Sequence, residues 1–248
     1  MTYQLYTQAA RRYDLHTPPH RFERSHRFVA AWLREQLGSG AAVLDVGCGT
    51  GSFLQQARAV GLEAEGLDAA AEMVAVAEGR VGPGVVRVGR MQELADVQRW
   101  GAVVALGWVL NYCRSLAEAE DVLRRFYRAL RPGGAMVLQL AHAAHASGHW
   151  EAERLPGPAP ELGDVVLGIC YAPLAGPEPR LRASFHYSCL GLGEEFEEEH
   201  LLHAADAWQV AARVRETGFE QVELFDSWAR EPFTSSASPL LIARRPAE

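Results

Sequence analysis

The chain has 248 residues, 48% of them hydrophobic, with 24 basic against 31 acidic side chains and a net charge of −7. That length fits one large domain or one domain with an insertion, and the apolar content supports a packed core, which excludes a disordered chain. The negative balance argues against nucleic acid or an anionic membrane as partner, and no apolar run approaches the roughly 20 residues of a spanning helix. Met1-Thr2-Tyr3-Gln4 opens no basic-then-apolar leader, so no signal peptide is read. Cys48, Cys113, Cys170 and Cys189 lie far apart with no C-x-x-C pair, which suits a reduced cytoplasm and no metal site.

In chain order, Tyr3, Tyr6 and Tyr13 give the first turns an aromatic face. Thr17 then serves as a cap and Pro18 as a first helical residue. A helix is predicted from His20 to Leu37, with Phe22, Val29, Trp32 and Leu33 on one side and Gly38 closing it. Strand Ala42–Val46 follows, and Gly47, Gly49 and Gly51 turn it into a helix reaching Ala59. Glycine takes positive φ freely and lets a ligand approach the backbone. The spacing misses the dinucleotide fingerprint by one residue, and no lysine follows as a phosphate loop requires.

Strand Glu63–Leu67 delivers Asp68, and helix Ala70–Glu78 carries Met73. Strands Val85–Val88 and Gly101–Leu106 come next. Ser115-Leu-Ala-Glu118 is a capping box that opens a helix to Leu130, and Arg131-Pro132-Gly133-Gly134 leads into strand Ala135–Leu140. Ligands of such sheets bind beyond the carboxyl ends of the strands, which makes Trp108, Asn111 and Tyr112 candidate substrate contacts. His142, His145 and His149 follow the fifth strand end. They read as acceptor-binding or general-base groups, as solvated loop residues, or least favourably as metal ligands, because no acidic partner is near and Gly148 weakens a helix there. Asp164–Tyr171, Arg180–Leu190 and Glu195–Leu202 read as three strands of an antiparallel insertion. The run Glu194–Glu199 reads as a solvated, charged edge that discourages strand pairing with other chains, or less favourably as a contact for a cationic ligand. A helix from Asp206 to Gly218 and strands Phe219–Phe225 and Pro239–Ala243, an antiparallel pair, complete the chain.

This order predicts an α/β fold, a doubly wound, seven-stranded, mostly parallel sheet with an antiparallel insertion after the fifth strand. The expected organisation is a helical lid over 1–40, a core from 41–140 and 204–248, and an insertion over 141–203.

The D-x-G-x-G-x-G run from Asp45 to Gly51, with Asp68 placed 23 residues after Asp45, resembles the first two motifs of class I S-adenosylmethionine (SAM)-dependent methyltransferases. The nearest resemblance is to the bacterial enzymes acting on amino sugars, amines or peptide N-termini. It implies SAM as cofactor, S-adenosylhomocysteine as product and a Rossmann-like core. Gly47, Gly49 and Gly51 would admit the amino-acid end, Asp45 its ammonium, Asp68 the ribose hydroxyls, and Ala69, Met73, Met91, Gln92 and Leu106 the nucleoside. Tyr13 lies in an Arg12-Tyr13-Asp14-Leu15 segment like that family's lid, or else the segment is a helix packing on the core. Arg90 stands where the family usually carries an adenine-binding Asp, and arginine has no acceptor. Gln92 or a backbone carbonyl would take that role.

The expected reaction is methyl transfer to nitrogen or oxygen of a small molecule, driven by alignment. His142 or His145 is the expected base where one is needed, with Tyr13 and Tyr112 orienting the acceptor. A SAM-binding partner subunit, or a cyclase on the same fold, are the alternatives. The chain is expected to be a monomer or homodimer that binds neither nucleic acid nor membrane.

Overall fold

A computed structural model of the protein describes residues 3–142, 146, 148–156, 163–176, 178–203 and 206–248. Its centre is a sheet of seven strands. These are β1 (Ala42–Val46), β2 (Glu63–Asp68), β3 (Val86–Val88), β4 (Trp100–Ala105), β5 (Leu130–Gln139), β10 (Glu220–Phe225) and β11 (Leu240–Arg244). They lie in the order β3-β2-β1-β4-β5-β11-β10. β1 pairs in parallel with both β2 and β4, while β11 runs antiparallel to β5 and β10. The doubly wound sheet and its final antiparallel pair are as expected.

Both faces of the sheet are covered, so its strands read as apolar runs rather than alternating ones. On one face, Leu44, Val46, Val103, Met136 and Leu138 pack with Val122, Leu123 and Phe126 of α5 (Leu116–Ala129) and Val210 and Val214 of α6 (Ala207–Glu216). On the other, Val43, Ala102, Val104 and Val137 meet α2 (His20–Leu37), α3 (Ser52–Ala59) and α4 (Ala71–Val81).

The helix ends follow their local chemistry. The Ser115 hydroxyl accepts from Glu118 N at 3.2 Å, as the capping box requires. The return bond reaches one residue further back, with Arg114 N donating to Glu118 Oε2 at 2.6 Å. Asp206 caps α6 by accepting from Trp208 N at 2.7 Å.

The chain before α2 is not one continuous helix. It forms two 3₁₀ turns, Gln4–Tyr6 and Ala10–Arg12, and a single helical turn α1 (Tyr13–His16).

After β5 comes a second, antiparallel sheet of four strands, β6 (Trp150–Pro156), β7 (Asp164–Leu174), β8 (Arg180–Cys189) and β9 (Glu194–His203). Three of these match the reading of the sequence. β6 is an edge strand exposed along almost its whole length, so its sequence carries no buried-face alternation. Leu167, Leu181, Ala183, Phe185 and Leu202 make the inner apolar face of this sheet, and Leu5 of the N-terminal segment packs there.

Trp100 is fully buried at the start of β4, and its indole Nε1 donates to Asp96 Oδ2 at 2.9 Å. Asp96 in turn pairs with Arg87. Trp100→Ala is expected to cost about 3–5 kcal/mol by cavity formation, read as a lowered urea midpoint with little change in the slope of unfolding.

Candidate active site

The cavity that concerns function has a volume of about 800 Å³ and sits at the carboxyl ends of β1, β2 and β4. That is the switch point of a doubly wound sheet, where strand order reverses.

Its floor is the turn after β1. Gly47, Gly49 and Gly51 have φ of 68°, 53° and 78°, a region L side chains adopt rarely. A Cβ on Gly47 would lie 2.4 Å from Val109 Cγ2, so any larger residue would push the turn off the wall behind it. The Gly47 N–H donates to Leu67 O at 2.7 Å, tying the turn to β2.

Asp45 and Asp68 stand beside each other at the tips of β1 and β2. Asp68 accepts from Gly49 N at 2.8 Å and from Ala70 N at 2.9 Å. Burial raises the Asp68 carboxyl and these N–H groups partly offset it. Asp45 is 3% exposed and is raised well above the usual carboxylate range, first by burial and then by the charge of Asp68. Among the described residues no group donates to it.

The N-terminal segment forms the roof. Asp14 pairs with Arg80 of α4 and accepts from the Thr50 hydroxyl at 2.8 Å, and Arg80 also donates to Thr50 O at 2.8 Å. This knot joins the roof to the glycine turn. Tyr13 faces the same cavity, its hydroxyl raised by burial and by the nearby charges of Asp14 and Asp68, against a bond from Thr17.

Beyond the tips lies a chamber lined by Tyr3, Tyr6, Tyr13 and Tyr112. The Tyr6 and Tyr112 hydroxyls are 2.6 Å apart, and the Tyr112 hydroxyl is 2.8 Å from His200 Nδ1. The ring of Tyr3 lies 3.7 Å from that of His200. Burial pushes both the Tyr6 and Tyr112 hydroxyls up, so both stay protonated at neutral pH.

Of the residues singled out from the sequence, Tyr13, Asp45, Gly47, Gly49, Asp68, Ala69, Met73, Met91, Gln92, Leu106 and Tyr112 line this one cavity. Gly51 lies outside that wall, its Cα face packed toward Ala77. Trp108 and Asn111 are also off the wall. The Trp108 indole donates to Ser238 Oγ at 2.8 Å and packs edge-on against Tyr171. Asn111 is a buried brace that accepts from Ala141 N at 2.9 Å and donates to His203 O at 2.8 Å. His142 turns toward α6, where its Nδ1 accepts from Ala207 N at 3.3 Å and its ring meets Phe233. His145 lies outside the described residues.

The reading of the sequence missed Tyr3 and Tyr6 as cavity residues, and His200 altogether. It also took Glu194–Glu199 as uniformly solvated. The strand period was the available signal. Glu195, Glu197 and Glu199 are exposed, whereas Glu198 and His200 share the inner face with Leu202. Glu198 accepts from Gln4 N at 2.6 Å and Leu5 N at 2.9 Å, and Glu194 pairs with Arg12. Part of the acidic run thus holds the roof.

Residues 43–134 match the family described as a methyltransferase domain. The chain is 30% identical over 118 residues to the dTDP-3-amino-3,6-dideoxy-alpha-D-glucopyranose N,N-dimethyltransferase of Streptomyces fradiae, covering 48% of this chain and 46% of that protein. It is 33% identical over 132 residues to the malonyl-[acyl-carrier protein] O-methyltransferase of Yersinia pestis, covering 52% of this chain and 46% of that one. The chain therefore spans less than half the length of these curated relatives. The solved structure of a SAM-bound amino pentose methyltransferase from Micromonospora echinaspora matches 90% of this chain and 91% of its own, with a TM-score of 0.71 at 24% identity. The likeness to a methyltransferase domain is confined to residues 43–134, while the fold is shared over 90% of the chain.

The carboxylate pair has a consequence for stability. A carboxyl with a raised folded pKa holds its proton more tightly in the folded state. The stability it contributes is complete below the unfolded pKa, about 3.9 for Asp, and is lost as pH rises through the folded value. Ligand-free protein should therefore lose stability from this pair as pH rises above about 4. Asp45→Asn should raise the melting temperature at neutral pH by about 2–4 °C for each kcal/mol recovered and flatten that slope. Thermal unfolding across pH reads both, and an unchanged slope would assign it to other groups.

Proposed function

We propose that the protein is a SAM-dependent methyltransferase acting on the amine nitrogen of a small acceptor, an amino sugar carried on a nucleotide being the favoured class. The observation that carries this reading is a single cavity joining the glycine turn and Asp68 to a tyrosine-lined chamber under one roof. The named activity of the Streptomyces fradiae relative supports the acceptor class.

The residues present fit the cofactor. Two buried carboxylates with little neutralisation suit a ligand that brings positive charge. Asp68 has each oxygen on one N–H, and a carboxylate oxygen has room for a second donor, which suits ribose hydroxyls. Backbone at Gly49 is open toward the amino-acid end, and Gly47 holds the turn against Val109. Met73, Met91, Ala69 and Leu106 offer apolar contact to the nucleoside. Gln92 offers an answer to the difficulty raised by Arg90. Its amide is close enough to Glu118 to help hold that carboxyl low, which turns an N–H toward Glu118 and supports the amide oxygen as the acceptor for an adenine amino group. That arrangement favours an intact cofactor site over a degenerate one.

Bound SAM supplies an already activated methyl group. The chain's own contribution is then alignment and exclusion of water. Tyr13 stands between the carboxylate pair and the aromatic chamber, and Tyr112 and Tyr6 present hydroxyls to an acceptor. Tyrosine faces also attract an ammonium ion. His142 is withdrawn from this reading because its ring faces α6.

Calorimetric titration with S-adenosylhomocysteine is the first test. Wild type should bind at micromolar Kd, and Asp68→Ala should weaken binding at least 30-fold, equivalent to about 2 kcal/mol at 1.4 kcal/mol per decade. Incubation with SAM and dTDP-3-amino-3,6-dideoxy-alpha-D-glucopyranose should then release S-adenosylhomocysteine. Binding of the cofactor with no turnover of any amine would move the non-catalytic reading ahead.

A further inference from the structure

One chain of polar groups leaves the cavity wall and passes through a histidine that no solvent reaches. Hydrogen bonds run from Tyr6 to Tyr112 at 2.6 Å and on to His200 Nδ1 at 2.8 Å; His200 Nε2 then lies 3.3 Å from Glu198 Oε2, a charge contact off the line of a hydrogen bond that leaves Nε2 without another partner among the described residues. Tyr6 and Tyr112 line the cavity, while the His200 side chain is 0% exposed. The groups packed on His200 come from three places. Tyr3 and Tyr6 belong to the roof, Tyr112 to the 3₁₀ turn after β4, and Phe185 to β8. Glu198, on its own strand, is the charged group among these neighbours.

The carboxylate selects the direction of the chain. Glu198 accepts and cannot donate when ionised. The negative charge 3.3 Å away favours an N–H rather than a lone pair at His200 Nε2, which leaves Nδ1 as an acceptor for the Tyr112 hydroxyl. Tyr112 oxygen then accepts from Tyr6, and Tyr6 oxygen is the acceptor presented to the chamber. With the opposite tautomer, the Nε2 lone pair would face the carboxylate at 3.3 Å. Burial lowers the His200 pKa and Glu198 opposes that, so the ring is neutral before the reaction and its protonated form has a counter-ion waiting.

We propose that His200, held by the positioning residue Glu198, receives the proton of the acceptor ammonium through the hydroxyls of Tyr6 and Tyr112. This rests on the amine-methylation reading above. One ammonium N–H bond breaks, and its electron pair stays on nitrogen as the nucleophile. The proton passes to Tyr6 oxygen, the Tyr6 proton to Tyr112 oxygen, and the Tyr112 proton to His200 Nδ1. Both tyrosines end neutral, and His200 ends as imidazolium against Glu198. The sulfonium of bound SAM would lower the pKa of an ammonium beside it and favour the transfer. Because Glu198 also accepts from Gln4 and Leu5 N–H groups, its carboxylate is in place when the roof is docked.

Two readings test this. Ring nitrogen NMR of wild type bound to S-adenosylhomocysteine should show His200 as the Nε2–H tautomer, with Glu198→Gln losing that preference. An Nδ1–H ring in wild type overturns the proposal whether or not the amine reading holds. Turnover of dTDP-3-amino-3,6-dideoxy-alpha-D-glucopyranose gives the second reading. His200→Gln and Tyr112→Phe should each lower kcat/KM about 100-fold at pH 7. The loss should shrink at least tenfold by pH 9, where solvent deprotonates the ammonium, with S-adenosylhomocysteine Kd within twofold of wild type. Equal losses at both pH values in both variants would mark a merely structural role. Tyr112→Phe preserves the ring packing, so misfolding of His200→Gln would leave the test standing.

Discussion

Two carboxylates buried side by side are the constraint on which the rest of this structure depends. Asp45 and Asp68 sit at neighbouring strand tips because β1 and β2 pair in parallel, with Asp45 opposite Gly66 and Asp68 two residues further on. Burial raises the cost of ionising Asp45, and the charge of Asp68 raises it further. For stability alone, an amide or an apolar side chain would serve better at one of them. Two carboxylates there suit a ligand that brings positive charge and hydroxyl donors between them. The glycine turn, the Gly49 N–H on Asp68 and the apolar flank at Met73 all serve that same small volume.

The roof connects this volume to the second sheet. Asp14 reaches down to Thr50 and Arg80 at the glycine turn, while Glu194 and Glu198 reach from β9 to Arg12 and to the backbone of Gln4 and Leu5. One short segment is thus bonded at one end to the cofactor side and at the other to the acceptor side. Tyr13 lies between them. Displacing the segment would open the chamber and remove two donors from Glu198 in a single movement.

The sequence exposes the cofactor half of the site better than the acceptor half, and the reason is physical. Asp45 to Gly51 work through consecutive backbone, so their spacing is visible in one line of residues. Asp68 is fixed to them by a strand pairing of ordinary length. The acceptor half depends on how distant segments meet. Trp108, Asn111 and His142 all follow strand ends, yet their side chains point to Ser238, to backbone at Ala141 and His203, and to Ala207. A place after a strand end does not distinguish a residue facing the cavity from one bracing the loop behind it. His200 was hidden differently. Its neighbours in sequence are mostly acidic and exposed, and the alternation becomes informative once β9 is seen to face the N-terminal turns. β6 was hidden because exposed edge strands have no buried side to write a pattern.

The energetics of the roof follow from which of its bonds are buried. The Arg12–Glu194 side chains are 34% and 36% exposed, and those of Arg80 and Asp14 are 17% and 29% exposed. Exposed ion pairs contribute about 0–1 kcal/mol each, so the more open pair at the rim holds the segment lightly. The Leu5 side chain, 4% exposed on the inner face of the second sheet, contributes more, since full burial of a leucine stabilises by about 1.5–3 kcal/mol. The sum is small beside the central sheet, whose apolar residues are covered on both faces. Opening of the roof is therefore a local event that leaves the core packed. On the proposed reading, a site that admits two ligands and releases two products would use that ordering of stabilities. The rigid half fixes the carboxylates and the glycine turn, and the lightly held half could open and reclose over the chamber without disturbing it.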